Sequence, residues 1–397
     1  MTRILFLLML SSSFISCQSA VELQAIPAKS SLILGDQRTE LYFDLLNEKK
    51  IGLVANQSSY IGETHLLDTL LSSGINVVKI FSPEHGFRGQ ADAGEILGHG
   101  IDSKTKLPIV SLYGKNKKPT AEQLKNIDLL VFDIQDVGVR FYTYISTLHY
   151  LMEAAAENSI PLIVLDRPNP HAHYVDGPII EDEYKSFVGM HAVPIVYGMT
   201  IGEYAMMING EEWLKGERKC NLQVISCENY NRNEIFTLPI KPSPNLPNAL
   251  SVQLYPSLCF FEGTVFSAGR GTEIPFQFYG HPKYKYSDFQ IMPKSMAGAK
   301  HPKFENQEIF GMNLSGLKVE SVHADQSIRW DYLWEAYANF GFDSKEFFIN
   351  NNFFEKLVGT QSLRNALEEQ LTVAQWKKEW EDDLEAFKQV RVKYLLY

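Results

Sequence analysis

"LLVFDIQDVGVRFYTYISTLHYLMEAAAE", residues 129–157, carries the pattern on which the fold turns. It opens as an unbroken apolar run, becomes polar, and then repeats apolar residues from Tyr144 to Glu157 at intervals that suit one helix face. A strand buried on both faces reads as a continuous hydrophobic run, and a helix following it is half of a parallel βα unit. The pattern recurs outward in both directions. IGLVAN (51–56), NVVKIF (76–81), LPIVSL (107–112), PLIVLD (161–166) and LQVISC (222–227) are the other runs, with helical spacing at 64–71 and 200–213. The last of these opens with Thr200 and Glu203, the spacing of a capping box. The expected class is α/β, with a mostly parallel sheet covered on both faces.

LPIKPSPNLPN (238–248) ends this region, because its prolines supply no ladder donors. The remainder mixes strand-like pieces such as LKVESVHA (317–324) with helical ones such as QSLRNALEEQL (361–371) and WKKEWEDDLEAFKQVR (376–391), an α+β pattern. The expected organisation is a signal segment at 1–16, an α/β domain at 24–238 and a smaller α+β domain at 239–397. Neither a G-x-G-x-x-G fingerprint nor a Walker loop occurs, so no dinucleotide or nucleotide cofactor is implied.

The 397 residues are 45% hydrophobic and 21% charged, enough for a substantial core and against global disorder. A net charge of -10 without a basic block excludes a nucleic-acid binder of the usual kind, though a local basic pocket for a small anion is compatible with it. MTRILFLLMLSSSFISCQS has the layout of an export signal: Arg3, an apolar stretch from Ile4 to Leu10, small residues and then Cys17. Ile15-Ser16-Cys17 resembles a lipobox, so Cys17 is the expected lipidation site and the only membrane contact is an N-terminal anchor. The chain is then expected in a bacterial cell envelope, on the periplasmic side of a membrane or the outer surface. The alternative is a plain secretory signal with a chance cysteine. Cys220, Cys227 and Cys259 make no disulfide framework or zinc pattern; Cys220 with Cys227 in a bridge, and buried free thiols, both remain open.

Polar chemistry gathers where the apolar runs end. The run at 51–55 leads to Asn56, that at 76–81 to Glu84 and His85 with Arg88 beyond, and that at 129–132 to Asp133, Gln135, Asp136, Arg140, Tyr142 and Tyr144. The run at 161–165 leads to Asp166 and Arg167. Parallel strands would place all four sets on one sheet edge, where such folds bind ligands. Glu84, Asp133, Asp166 and His85 are the catalytic candidates; Asn56, Arg88, Asp136, Arg140 and Tyr142 are substrate-binding ones. Structural roles compete for each: an Asp166–Arg167 pair fixing a loop, an Asp136–Arg140 pair on a helical turn, Asp133 as a cap, His85 as a satisfied structural histidine. Glu203 joins the binding candidates from YGMTIGE (197–203), and Glu262, Arg270 and Glu273 from CFFEGTVFSAGRGTEIPFQFYGHP (259–282), where partly buried charges need partners or a ligand. No metal is implied, since H-E-x-x-H and clustered D-x-D are missing.

Several stretches resemble one family in order along nearly the whole mature chain: FSPEHGFRG (81–89), VFDIQDVGVRFYTYISTL (131–148), VLDRPNP (164–170), GPI (177–179), YGMTIGE (197–203), EGTVFSAGRGTEIPF (262–276) and VRVKYLLY (390–397). It is the bacterial family of exo-acting β-N-acetylmuramidases, long catalogued as a domain of unknown function. The resemblance implies release of terminal N-acetylmuramic acid from the non-reducing end of peptidoglycan fragments. It also implies a Rossmann-like N-terminal domain with a smaller C-terminal domain completing the cleft. Glu84, in the SPEHG motif, matches the family's proposed catalytic residue. Glycosidases usually need a second carboxyl group, whose identity and separation a sequence leaves open. The lactyl carboxylate of the sugar suits Arg88, Arg140 or Arg270.

The competing class is a non-catalytic sugar- or muropeptide-binding envelope lipoprotein using the same aromatics and arginines. A carboxyl group able to stay protonated beside the glycosidic oxygen separates the two. An esterase or amidase would require a nucleophile elbow or a metal cluster, and G-x-S-x-G is absent.

Overall fold

In the computed structural model, which describes residues 31–84, 86, 87, 100–340 and 344–397, every one of those apolar runs is a strand. In chain order they are β1 (Ile51–Ala55), β2 (Val77–Ser82), then, after a short β3 (Gly100–Ile101), β4 (Pro108–Ser111), β5 (Leu129–Asp133), β6 (Leu162–Leu165) and β7 (Leu222–Ile225). Both residues of β3 are exposed, so this edge strand leaves no hydrophobic trace in the sequence. The sheet is seven-stranded, in the order β3-β4-β2-β1-β5-β6-β7. All neighbours are parallel except β3, which runs antiparallel to β4.

Strand periodicity explains why these runs are continuous. Along β5, Leu129 and Val131 enter one apolar core with Ile51, Leu53, Leu66 and Ile163. Leu130 and Phe132 enter the other, with Leu148, Val164 and Tyr204. Successive side chains point to opposite faces and both faces are covered, so positions 129–132 of β5 are all apolar. The larger core continues without interruption into the C-terminal part, through Leu254, Phe266, Trp330, Trp376 and Phe387.

The covering helices are α1 (Leu66–Ser72), α2 (Tyr144–Glu157) and α3 (Ile201–Gly210). The first starts later than its apolar spacing indicates, because Thr64–His65 pairs with Tyr60–Ile61 and His65 then caps the helix. Thr200 and Glu203 form the expected capping box on α3. Beyond the proline-rich connector come α4 (Ala249–Leu258), a three-stranded antiparallel sheet of β8 (Phe278–His281), β9 (Gln290–Ile291) and β10 (Ile309–Asn313), and further helices including α5 (Phe353–Val358) and α6 (Glu381–Val392). The mixed, mostly parallel sheet with flanking helices, joined to a smaller α+β region, is the expected class.

One element differs from expectation. Residues 317–324 read as strand-like, yet Val319–Ala324 is a helix. Val319 and Val322 lie three apart and pack against the larger core, while His323 stacks on His173 with centroids 3.6 Å apart. Tertiary contact there overrides the β-branched composition. Cys220, Cys227 and Cys259 are free and buried, so the bridge between the first two does not form. Cys17 and the signal segment lie outside the described residues. Among the described residues, no helix is long and apolar enough to cross a membrane.

Candidate active site

Glu84 follows β2 by one proline, on a turn closed by the Gly86 N–H donating to Pro83 O at 3.1 Å. Gly86 has φ +75°, a conformation in which a glycine costs nothing and other residues strain. The turn presents Glu84 to a cavity of ≈ 320 Å³ at the carboxyl edge of the sheet. Thr143 Oγ1 donates to Glu84 Oε2 at 2.8 Å, and the Tyr113 phenol is hydrogen-bonded to the same carboxylate. Burial, together with the Glu84 charge and this bond, pushes the Tyr113 phenol well above its ordinary value and keeps it a donor. Two hydroxyls from different loops therefore fix the orientation of Glu84.

The opposite wall comes from the C-terminal part. Glu262 and Arg270 both line the cavity, with Arg270 Nε donating to Glu262 Oε2 at 2.9 Å. Arg270 lies over the Phe276 ring at 5.0 Å, and among the described residues Glu262 is its one hydrogen-bonded partner. Burial works to lower the Arg270 pKa, but the Glu262 charge, Tyr255, the hydrogen bond to Glu262 and Cys259 together leave it above its ordinary value. Behind this wall Lys303 Nζ donates to the carbonyls of Phe261, Glu262, Thr264 and Phe266, so the ammonium of a half-buried lysine pins the loop that carries Glu262. Tyr142, Tyr144 and Tyr255 supply aromatic lining. The connector is part of the wall as well: Ser243 and Leu246 line the cavity, and Pro242 O accepts from the Tyr142 hydroxyl at 2.8 Å.

The strand-end polar residues do converge on one edge, but most of them serve the scaffold. Asp133 is fully buried and takes a bidentate contact from Arg167, Nε to Oδ1 at 2.6 Å and Nη2 to Oδ2 at 2.9 Å. Arg167 Nη2 also reaches Asp36 at 2.8 Å. Burial raises Asp36 to about 7, Arg167 pulling against it and the Asp133 charge adding to it. Asp166 accepts from the Gly202 N–H at 2.7 Å, Thr200 Oγ1 at 2.8 Å and the Tyr397 hydroxyl at 2.7 Å, which joins the start of α3 to the C-terminal residue. Its carboxyl is nevertheless pushed up to about 6 by burial. Asp136, likewise raised to about 6 by burial, accepts from the Gly138 N–H and the Tyr197 hydroxyl.

Arg140 is fully buried and donates to the carbonyls of Pro178 (2.8 Å), Val193 (2.7 Å), Leu357 (3.2 Å) and Val358. Burial lowers it to about 9. It therefore holds the C-terminal end of α5, a helix whose Phe353 and Leu357 line the cavity. Asn56 donates to the Tyr144 hydroxyl at 3.0 Å from behind the lining. Glu203 accepts from Arg232 Nη2 at 2.7 Å and the Leu396 N–H at 2.8 Å, docking the C-terminal tail. Gln135 ties two strand-end loops by donating to Pro168 O at 2.7 Å.

Of the sequence candidates, then, the cavity gathers Glu84, Tyr142, Glu262 and Arg270, with Asn56 one shell behind. Asp133, Asp166, Asp136, Arg140 and Glu203 are not in its described lining, and Glu273 lines a neighbouring cleft. His85 and Arg88 lie outside the described residues. Sequence reasoning missed Tyr113, Thr143, Tyr255 and Ser243. Tyr113 directly follows an apolar run, so the strand-end rule applied to β4 finds it; Tyr255, inside a buried helix, carries no signal. Among the described residues, no group of three or more His, Cys, Asp or Glu side chains is arranged to hold a metal ion.

Comparison with known proteins gives concordant matches. The family model described as exo-beta-N-acetylmuramidase NamZ, N-terminal, matches residues 51–250, and its C-terminal counterpart matches residues 253–397. A curated relative, the peptidoglycan beta-N-acetylmuramidase NamZ of Bacillus subtilis (strain 168), is 37% identical over 380 residues, spanning 90% of this chain and 89% of that protein. Crystal structures of two DUF1343 family proteins from Bacteroides fragilis are also similar. One is 47% identical with a TM-score of 0.86, covering 93% of this chain and 99% of the other. The second is 29% identical with a TM-score of 0.76, covering 92% and 99%.

Proposed function

This chain belongs to the NamZ family of exo-β-N-acetylmuramidases, and from that premise we propose that Glu84 is the carboxyl group with which it cleaves a terminal N-acetylmuramic acid from the non-reducing end of its substrate. It is a glycoside hydrolase with exo-acting β-N-acetylmuramidase activity on peptidoglycan fragments. The observation that supports the residue assignment is the placement of Glu84, a carboxylate oriented by Thr143 and Tyr113 inside an aromatic-lined cavity. The volume of ≈ 320 Å³ is at the small end of ligand pockets, about 300–1,000 Å³, and suits a single terminal sugar.

Hydrolysis breaks the bond between the anomeric carbon and the leaving oxygen; water supplies hydroxide to the carbon and a proton to that oxygen. Glu84 is the group that handles this proton or the charge on the anomeric carbon. Arg270 reads the lactyl carboxylate: its Nε is spent on Glu262, and among the described residues its terminal nitrogens have no hydrogen-bonded partner, leaving them for a planar, charge-assisted contact. The test is release of free N-acetylmuramic acid from a disaccharide with that sugar at its non-reducing end, and its absence when the two sugars are exchanged. Equal release from both would refute the terminal-sugar reading.

The anchoring of the chain at a membrane surface through a lipidated Cys17 rests on the Ile15-Ser16-Cys17 sequence. The C17S protein should move from the membrane fraction to the soluble one; unchanged fractionation would refute the anchor.

A further inference from the structure

One edge of the C-terminal sheet carries more hydrophobic surface than the rest of the described chain. Of the ten exposed large hydrophobic side chains among the described residues, four lie between positions 286 and 296: Tyr286 (64% exposed), Met292 (42%), Phe289 (38%) and Met296 (37%). The first three flank β9, the outer strand in the order β8-β10-β9. The chain from Tyr286 to Met292 reaches about 22 Å at most, so they share one short edge. The fold backs this edge. The Tyr286 ring lies 5.8 Å from that of buried Tyr284, and the Phe289 ring 6.0 Å from that of buried Phe278. The Lys294 N–H donates to Gly271 O at 2.8 Å, tying the edge to the loop that carries Arg270.

Its charge opposes that of the whole chain. Lys283, Lys285, Lys294 and Lys300 are exposed, and Asp288 is the one acidic residue from 283 to 300, in a protein of net charge -10. The two features together narrow the partner. An anionic polymer would engage the lysines and leave the tyrosine, phenylalanine and methionines in water. A neutral glycan would stack on the aromatic rings and leave the lysines unused. An anionic lipid surface takes both, offering phosphate headgroups to the ammonium groups and an acyl boundary to the apolar side chains.

We propose that the 283–300 edge docks on a membrane surface rich in anionic phospholipid. An acyl chain on Cys17 would be one membrane contact; this edge is a second, made by the folded chain itself. A basic patch and an acyl chain together anchor stably where one acyl chain alone is marginal. Docking there also holds the Arg270 loop close to the lipid, through Lys294 and Gly271.

Residues 18–397 contain every described element of the fold and lack Cys17, so any vesicle binding they show owes nothing to acylation. Their sedimentation is measured at low salt with vesicles of phosphatidylcholine alone and of an equal mixture with phosphatidylglycerol. The variants are Lys285→Glu/Lys294→Glu, Tyr286→Ser/Met292→Ser and a charge control, Lys125→Glu/Lys219→Glu, at side chains 66% and 62% exposed. All three alter exposed side chains, and melting temperatures close to wild type verify that they fold. Wild type should bind the mixed vesicles and not phosphatidylcholine alone. A lysine near such a surface contributes roughly fivefold, so the edge lysine pair should lose at least about tenfold in affinity. The apolar pair should lose about as much, and the control less than about threefold. Failure of wild type to bind the mixed vesicles overturns the proposal, as does wild-type affinity in both edge variants or an equal loss in the lysine pair and the control. So does a wild type that ignores vesicles but sediments with insoluble peptidoglycan through Tyr286 and Met292, which would make the edge a glycan platform.

Discussion

Replacing Arg270 with methionine removes a charge from the cavity while keeping an unbranched side chain over the Phe276 ring. N-acetylmuramic acid and N-acetylglucosamine differ by the lactyl ether, so the preference of the enzyme between them reads the contact to the lactyl carboxylate. A hydrogen bond to a charged group contributes about 1.5–3 kcal/mol net, roughly 10- to 150-fold in kcat/KM. The side chains of Arg270 and Glu262 are 23% and 22% exposed, and partial solvent screening places the effect toward the lower end, about tenfold. R270M also leaves Glu262 without its partner, a defect common to both sugars that cancels in their ratio. The assay is kcat/KM for aryl β-N-acetylmuramide and aryl β-N-acetylglucosaminide with wild type, R270M and the E262Q/R270M double variant. The muramide preference should fall about tenfold in R270M and to the same level in the double variant. A preference unchanged within twofold in both would refute recognition of the lactyl group by Arg270.

Two further outcomes follow from the scaffold. Arg140→Met leaves the carbonyls of Pro178, Val193, Leu357 and Val358 without their donor, at about 1–3 kcal/mol per buried unpaired group, partly offset by no longer desolvating a cation; a net loss of about 3–5 kcal/mol in urea unfolding is expected, and a loss under about 1 kcal/mol would contradict it. His173, lowered to about 3 by burial and by the charges of His323 and His171, stays neutral in the folded protein while the unfolded chain takes up a proton below its ordinary value near 6.5. Stability is therefore lost as pH falls through that window, by about 1–2 kcal/mol between pH 7 and pH 5 from this residue. H173Q, which can still donate to His323 O, should shrink the pH 7 to pH 5 difference by that amount, and an unchanged difference would refute the assignment.

The fold was readable because its central strands β1, β5 and β6 are buried on both sides, which writes each of them as a continuous apolar run. The exposed β3 and the helix at Val319–Ala324 escaped the same rule: one has no buried face, and the other takes its form from packing against distant residues. At the site, the strand-end pattern pointed to Glu84 and to the sheet edge where the cavity lies, yet it marked Asp133, Asp136 and Asp166 in the same way. Locally these carboxylates are alike. What separates them is their partners: Asp133 meets Arg167, 34 residues on, and Asp166 meets Tyr397, 231 residues on. Such pairings are created by the fold and leave no mark in a short stretch of sequence. The proline-rich connector, read as a boundary, contributes a wall of the cavity through Ser243 and Leu246, and Pro242 O accepts from Tyr142 across 100 residues.

Glu84→Gln, assayed for kcat on N-acetylmuramyl-β-1,4-N-acetylglucosamine alongside its melting temperature and its affinity for N-acetylmuramic acid, tests the catalytic role most directly. The amide keeps the size of the side chain and one acceptor oxygen for the Thr143 and Tyr113 hydroxyls, so folding and sugar binding should stay close to wild type. Without a titrating carboxyl group kcat should fall by about 10²–10⁴-fold. A folded, sugar-binding E84Q protein that keeps more than about a tenth of the wild-type kcat would contradict the assignment of Glu84 as the catalytic carboxyl.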